Sequence, residues 1–418
     1  MHFRVRVAVK EILNDLDGVV DGGDCQCHDC WYRHRALALA PRRSRNDCGC
    51  RCGGVARLCG ALSLEQAYQA LDLDTLLLLF SMMTLNGQLY TAGFFGIVAQ
   101  RVVRVAHSPH GLLALIIVAS GTLSALFLND TIVLMLTPLV LDTTRALRRN
   151  PIPYLIGLAT GANVGSTATI TGNPRNMIIG SASGLSYTTF VAALAPTALI
   201  GLAICWLVIV LVYPQEFRRG RFETPEVGRM RVYRPLLRKV AVVVPIMLAL
   251  MILGAPVALA AFLAAAALLA TRRLRPDRIW KTIDWPLLVF FAGLFVVTGS
   301  LQVQGVTDEL FAVAAPLISE RLVVFGIVTA VLSNLISNVP AVLVLQSLIP
   351  ALAQPERGWL MLAAASTLAG NLTLPGSVAN LIVAELAARW GVQLTFGAYL
   401  RAGVPITILT LLVAFVLV

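Results

Sequence analysis

The chain has 418 residues, of which 57% are hydrophobic and only 13% charged, and its formal net charge is +11. Soluble domains carry about 25% charged residues, so too little polar surface is available to cover a water-soluble body of this size. The basic residues fall in short loops between apolar runs, as the positive-inside rule places them, which excludes nucleic acid as a partner. None of the three lysines, Lys10, Lys239 and Lys281, follows a glycine-rich loop, which excludes a phosphate-binding P-loop and ATP hydrolysis by this chain.

In chain order, residues 1–60 are set apart by composition as an atypical Cys/Arg-rich N-terminus. They hold Cys25, Cys27, Cys30, Cys48, Cys50, Cys52 and Cys59, together with ten Lys or Arg, and no run long enough to cross a bilayer. Zinc modules pair C-x2-C with a second couple a dozen or more residues away. The spacing here is more crowded, so no metal is expected. If nothing crosses before Thr75, these ten basic residues also lie on the wrong side for the charge rule. We therefore read residues 1–60 as a frame-shifted stretch in place of lost scaffold helices, since GC-rich Ala, Leu and Gly codons read out of frame yield Arg, Cys and Pro. A metal-sensing tail is the functional rival.

Residues 61–213 form the first repeat, with apolar runs at Leu76–Phe95 and Pro196–Tyr213. Between them, Arg101, Arg104, His107 and His110 precede, and Arg145, Arg148 and Arg149 follow, two apolar stretches that meet at Asn129-Asp130. Each stretch is too short to cross. With both ends basic, the spacing predicts a hairpin that enters from the cytoplasm and returns.

Residues 214–281 form basic cytoplasmic loops around a scaffold hairpin. Arg218 to Lys239 holds eight basic side chains against two acidic, and Arg272 to Lys281 five against one. The enclosed runs, Val240–Leu253 and Val257–Ala270, turn at Gly254-Ala-Pro256.

Residues 282–418 repeat the first unit, with apolar runs at Leu287–Leu301 and Ile406–Val418. Asp72, Gly87 and Gly93 match Asp284, Gly299 and Gly305; Ser124 and Asn129 match Ser333 and Asn338; Thr169, Gly172 and Asn176 match Thr373, Gly376 and Asn380. Three blocks in one order indicate an internal duplication. The second hairpin, Val323 to Leu352, is flanked by Glu320-Arg321 and Glu356-Arg357, without net positive charge, and is predicted to enter from the opposite face. Opposite-facing hairpins are the signature of inverted-topology repeats. The predicted fold is an all-α polytopic membrane protein with two inverted-topology repeats, each containing a re-entrant helical hairpin and a broken transmembrane helix.

Chemistry concentrates at four places. Two are hairpin tips, at Asn129, Asp130 and Thr131 and at Ser337 and Asn338. Two are helix breaks, at Asn163, Gly165, Thr167, Thr169, Gly172, Asn173 and Asn176 and at Asn371, Thr373, Gly376, Ser377 and Asn380. Non-helical backbone at membrane depth is tolerated only where it is buried in protein or lines a watery cavity. Each break frees carbonyls, which suit Na⁺, and N–H groups, which suit an anion. The bland alternative is that small polar residues glue helices together; it holds for isolated ones such as Ser120 and Thr329, while the repeat symmetry of the clusters favours a binding site. Asp130 is an ionisable residue at predicted midplane depth, which marks an ion or proton pathway, and capping of the returning helix is its rival role. Arg175 is open to substrate contact, to pairing with Asp130 or to snorkelling.

These clusters, Asn-Asp-Thr with Gly-Asn-Pro-Arg-Asn and Ser-Asn-Val-Pro with Gly-Asn-Leu-Thr-Leu-Pro-Gly-Ser-Val-Ala-Asn, resemble those of the ion transporter superfamily. Within it they are similar to citrate-transporter-like and arsenite-pump permeases, related to the divalent anion:sodium symporters. The resemblance implies that tips and breaks share one site, and that a homodimer moves that site by an elevator motion. The symporters carry Ser-Asn-Thr at both tips. Here Leu128 and Asp130 replace the outer two of the first, and Val339 the last of the second, which favours an inorganic anion or an arsenite-like substrate over a dicarboxylate. The expected function is secondary active transport of a small anion across the cell inner membrane, coupled to Na⁺ or H⁺, with Na⁺ expected near Asn129, Asp130 and Gly172. No further cofactor, no enzyme activity and no partner beyond lipids, substrate and a second copy is expected. Arsenite efflux, Na⁺/H⁺ exchange and a passive anion channel are the alternatives.

Overall fold

The structure is a computed structural model that describes residues 63–218, 232–270, 280, 283–304 and 322–418. The reading of residues 1–60 lies outside the described residues, as do most of the two basic loops. Among the described residues, all regular structure is helical.

The first half begins with α1 (Leu64–Ala70), α2 (Leu73–Ala92) and α3 (Phe94–Val105). Asp72 caps α2 by accepting from Thr75 N, and Gly93 ends it in the left-handed conformation (φ 80°), which glycine adopts without steric cost. The hairpin follows as α4 (Pro109–Leu126) and α5 (Asn129–Ala146), then α6 (Pro151–Ser166), a 3₁₀ turn (Ile170–Gly172), α7 (Pro174–Ser183) and α8 (Tyr187–Val212). A short α9 (Pro214–Phe217) leads to the scaffold pair α10 (Arg234–Ile252) and α11 (Val257–Ala270). Gly254 turns that pair at φ 92°, as the sequence leads one to expect.

The second half runs α12 (Trp285–Val303), α13 (Leu322–Leu335), α14 (Asn338–Leu345), a 3₁₀ segment (Gln346–Ala351), α15 (Pro355–Ala369), a 3₁₀ turn (Leu374–Gly376), α16 (Val378–Arg389) and α17 (Phe396–Leu417). The duplication reaches further than the polar motifs. Asp284 caps α12 as Asp72 caps α2, Thr395 caps α17 as Ser186 caps α8, and α8 and α17 carry Pro196 and Pro405 at matching interior positions.

One expectation fails on length. Helix α4 has 18 residues and is apolar enough to cross a membrane; at 1.5 Å per residue it reaches about 27 Å. It starts two residues ahead of the apolar run because Ser108 caps it and Pro109 opens it. The second hairpin does have short arms, of 14 and 8 residues.

Five helices among the described residues are long and apolar enough to span: α4, α8, α10, α12 and α17. Their outward faces expose large apolar side chains such as Leu199, Leu211, Val242, Val289 and Leu412, surface that lipid covers and water would not. By contrast, α6 is buried without interruption from Pro153 to Ser166, and α15 from Leu360 to Ala369. Helix α6 packs on α4, α5 and α8, and α15 packs on α13 and α17. At its base, buried Glu216 accepts from Tyr154 Oη (3.2 Å) and Asn150 N (3.4 Å) and lies 3.8 Å from Arg149, which ties the end of α8 to the start of α6.

Candidate functional site

Both breaks have one backbone design. In the first, Thr169 (φ −137°, ψ 159°) and Asn173 (φ −154°, ψ 160°) are extended on either side of the 3₁₀ turn. In the second, Thr373 (φ −129°, ψ 159°) and Ser377 (φ −144°, ψ 140°) do the same. Each break therefore swings the chain out of one half-helix and into the next.

The carbonyls that each break releases go to one asparagine. Asn176 Nδ2 donates to Ser166 O (3.1 Å), Thr167 O (3.4 Å) and Thr169 O (2.8 Å). Its repeat partner Asn380 donates to Gly370 O (2.9 Å) and Thr373 O (3.2 Å), the equivalents of Ser166 O and Thr169 O. Asn173 caps α7 through Asn176 N (2.9 Å), whereas the N-terminus of α16 has no side-chain cap.

The two halves meet at these breaks. Asn163 makes all four of its amide bonds there: Oδ1 accepts from Asn129 Nδ2 (3.0 Å) and Ser377 Oγ (3.1 Å), while Nδ2 donates to Asn371 Oδ1 (2.9 Å) and Asn380 Oδ1 (3.1 Å). In return, Thr367 Oγ1, at the position equivalent to Asn163, donates to Asn176 Oδ1 (3.3 Å). Helix packing is reciprocal too: α5 lies on α16, and α14 lies on α7. Such exchanged contacts are the pattern of a self-complementary, two-fold-like interface.

Not every residue expected from sequence enters this cluster, and the helix break starts later than expected. Asn163 and Gly165 lie in regular helix. A Cβ on Gly165 would sit 2.2 Å from Gly121 O, so this glycine serves the α4–α6 crossing rather than a ligand. Gly172 serves its own loop, since a Cβ there would meet Ser166 O at 2.3 Å. Thr167 Oγ1 returns to Asn163 O (3.3 Å), and Thr169 Oγ1 donates to Ala125 O. Thr373 Oγ1 reaches Asn334 Oδ1 at 3.5 Å, and Asn338 Nδ2 donates to Gly376 O at 2.8 Å. Asp130 and Thr131 are half-buried on α5, and Ser337 is exposed at the second tip with φ 80°, a conformation uncommon outside glycine.

Sequence reasoning missed Ser366, Thr367 and Asn334. The repeat alignment was the available signal, because it sets Thr367 opposite Asn163. It also left Arg175 undecided. That guanidinium is buried, and NH1 donates to Ser366 O (2.7 Å), across the interface between the halves. Asp130 and Arg175 act on one another electrostatically without forming a salt bridge among the described residues.

The cluster of neutral amides, two charges and an uncapped helix start is suited to holding small ions of either sign. Comparison with known proteins agrees with a transporter. The chain is 30% identical to the silicon efflux transporter LSI3 of Oryza sativa, covering 83% of this chain and 86% of that protein. It is 29% identical to an uncharacterised transporter of Mycobacterium tuberculosis (91% and 94% covered) and 24% identical to the putative transporter arsB of Dictyostelium discoideum (85% and 83%). In fold it is similar to the Alcanivorax borkumensis YdaH transporter, whose crystal structure was described as having an unusual topology (TM-score 0.60, 16% identity, 87% and 86% covered). The citrate transporter family model matches residues 37–369. A helical bundle with lipid-facing spans, two interlocked helix breaks and this match together make the chain a multi-pass membrane transporter that belongs to the citrate transporter family.

Proposed function

We propose that the chain is a secondary active transporter that moves a small inorganic anion or oxyacid across the inner membrane, coupled to Na⁺ or H⁺. The observation that carries this reading is the meeting of the two breaks through Asn163, Asn380, Thr367 and Asn176. A site shared by two halves can be exposed alternately to either side when one part rocks or slides. The uncapped start of α16, beside exposed Val378, presents backbone N–H groups to an anion. The name of the rice relative, a silicon efflux transporter, favours a silicon oxyacid among substrates, and the departure of both tips from Ser-Asn-Thr favours an inorganic or arsenite-like substrate over a dicarboxylate. The charge pattern favours insertion of the two hairpins from opposite faces and a basic cytoplasmic side, and the exposed apolar faces leave room for a second copy.

The test is flux in proteoliposomes of the full chain, with arsenite, silicic acid, phosphate, sulfate and citrate offered under a Na⁺ or a pH gradient. Saturable movement of one of them against its own gradient is expected. Flux that is linear in concentration and never accumulates substrate would establish a passive channel instead. A second reading, Na⁺/H⁺ exchange, rests on Asp130, the carboxylate at the first tip. Sodium flux driven by a pH gradient with no anion present would support it.

A further inference from the structure

The two tips are built from equivalent residues but are not completed alike. At the second, Ser333 Oγ donates to Asn338 Oδ1 and lies 3.2 Å from Ser366 O. Ser366 O is free to accept because the helix breaks there, with Gly370 N turning to Thr367 O (3.2 Å). The same carbonyl receives Arg175 NH1 at 2.7 Å. Arg175 belongs to the first repeat and is only 4% exposed.

At the first tip the equivalents of Ser333 and Asn338 are Ser124 and Asn129. Ser124 is 0% and Asn129 1% exposed, yet Ser124 Oγ and Asn129 Oδ1 have no hydrogen-bond partner among the described residues. A buried polar atom left unpaired is costly, and two such oxygens at one tip are suited to receiving a guest. The charges are arranged to match. The repeat equivalent of Arg175 is Ala379, and that of Asp130 is Val339. The first tip thus has two unpaired oxygens with Asp130 next in sequence, and the second has no acid but a permanent guanidinium on the Ser366 carbonyl.

We propose that Arg175 is a tethered cation, which takes at the second tip the place that an ion takes at the first. The protein then binds a single exchangeable cation, at Ser124, Asn129 and Asp130, although its fold offers two equivalent positions. This rests on the reading of the tips as ion sites. Guanidinium geometry fits the role, because its several N–H groups satisfy carbonyls that an ion would otherwise coordinate.

The experiment is radiolabelled Na⁺ binding to the purified full chain. Wild-type protein should saturate at one Na⁺ per chain with a Hill coefficient near unity, and Ser124→Ala or Asn129→Ala should abolish binding. Arg175→Ala should raise the stoichiometry to two, Ser333→Ala added to it should return it to one, and Arg175→Lys should hold it at one. Two Na⁺ on the wild type, no Na⁺ at all, or a folded Arg175→Ala that still binds one would each overturn the proposal. Should Arg175→Ala not fold, Arg175→Gln and the wild-type stoichiometry decide. A single bound Na⁺ without any anion flux would sink the transport reading and leave this inference standing.

Discussion

Asn176 and Asn380 occupy the same position after the break in each half, and each uses its amide in the same way. Nδ2 holds the released carbonyls, at 2.8 Å from Thr169 O in the first half and 3.2 Å from Thr373 O in the second. Oδ1 accepts from the opposite half, from Thr367 Oγ1 at 3.3 Å and from Asn163 Nδ2 at 3.1 Å. One side chain therefore closes a break and fastens it to the other repeat, so the local shape of each half depends on contact with its partner.

Removing either amide should cost both stability and transport. Asn176→Ala and Asn380→Ala each leave buried carbonyls unpaired, a loss of about 1–3 kcal/mol per group. Denaturant unfolding in detergent should show comparable destabilisation for the two, and flux should fall in both. Loss confined to one of them would argue against the two-fold relation.

The glycines should separate by what surrounds them. Gly172→Ala drives a Cβ to 2.3 Å from backbone Ser166 O, whereas at Gly376 the nearest atoms, Asn334 Oδ1 at 2.9 Å and Gly370 O and Thr373 Oγ1 at 3.0 Å, leave more room. Gly172→Ala should abolish transport and lower the yield of folded protein, and Gly376→Ala should retain measurable flux. At Gly254 nothing lies within 4 Å, and only the φ of 92° resists substitution, at about 1–2 kcal/mol. Gly254→Ala should therefore transport with unchanged substrate affinity.

Asp130→Asn should stop or uncouple cation-driven flux while the protein inserts normally. If Asp130 lies at the bilayer centre, where a charge costs about 2.5–3.5 kcal/mol on insertion scales, the neutral amide eases insertion. Expression and size-exclusion profiles report on folding, and flux with and without the cation gradient reports on coupling. Full coupled transport by this variant would remove Asp130 from the mechanism.

Topology can be checked by labelling. In a background without native cysteines, Cys at Arg148 should react with impermeant reagents from the cytoplasmic side and Cys at Glu356 from the other. Arg148 follows α5 and Glu356 opens α15, so the two report on the outer ends of the two hairpins. Reaction of both from one face would end the inverted-repeat reading.

The sequence by itself determined most of the apolar spans, the duplication and the order of tips and breaks, though not the length of α4 or where the first break begins. These are local properties: a run of apolar residues, a Pro or Gly that interrupts a helix, and an order of motifs that survives at a nearly constant offset. Only the tertiary structure decided which groups meet. Asn163 sits in unbroken helix, yet joins Asn129 to Asn371, Ser377 and Asn380. Gly165, in the same motif, packs against Gly121 and touches no site. The acceptor for Arg175, a main-chain carbonyl at Ser366, exists because a helix ends early nearly two hundred residues away. Carbonyls freed by a break leave no mark on residue type, and which distant donor reaches them depends on how the helices of the two halves pack.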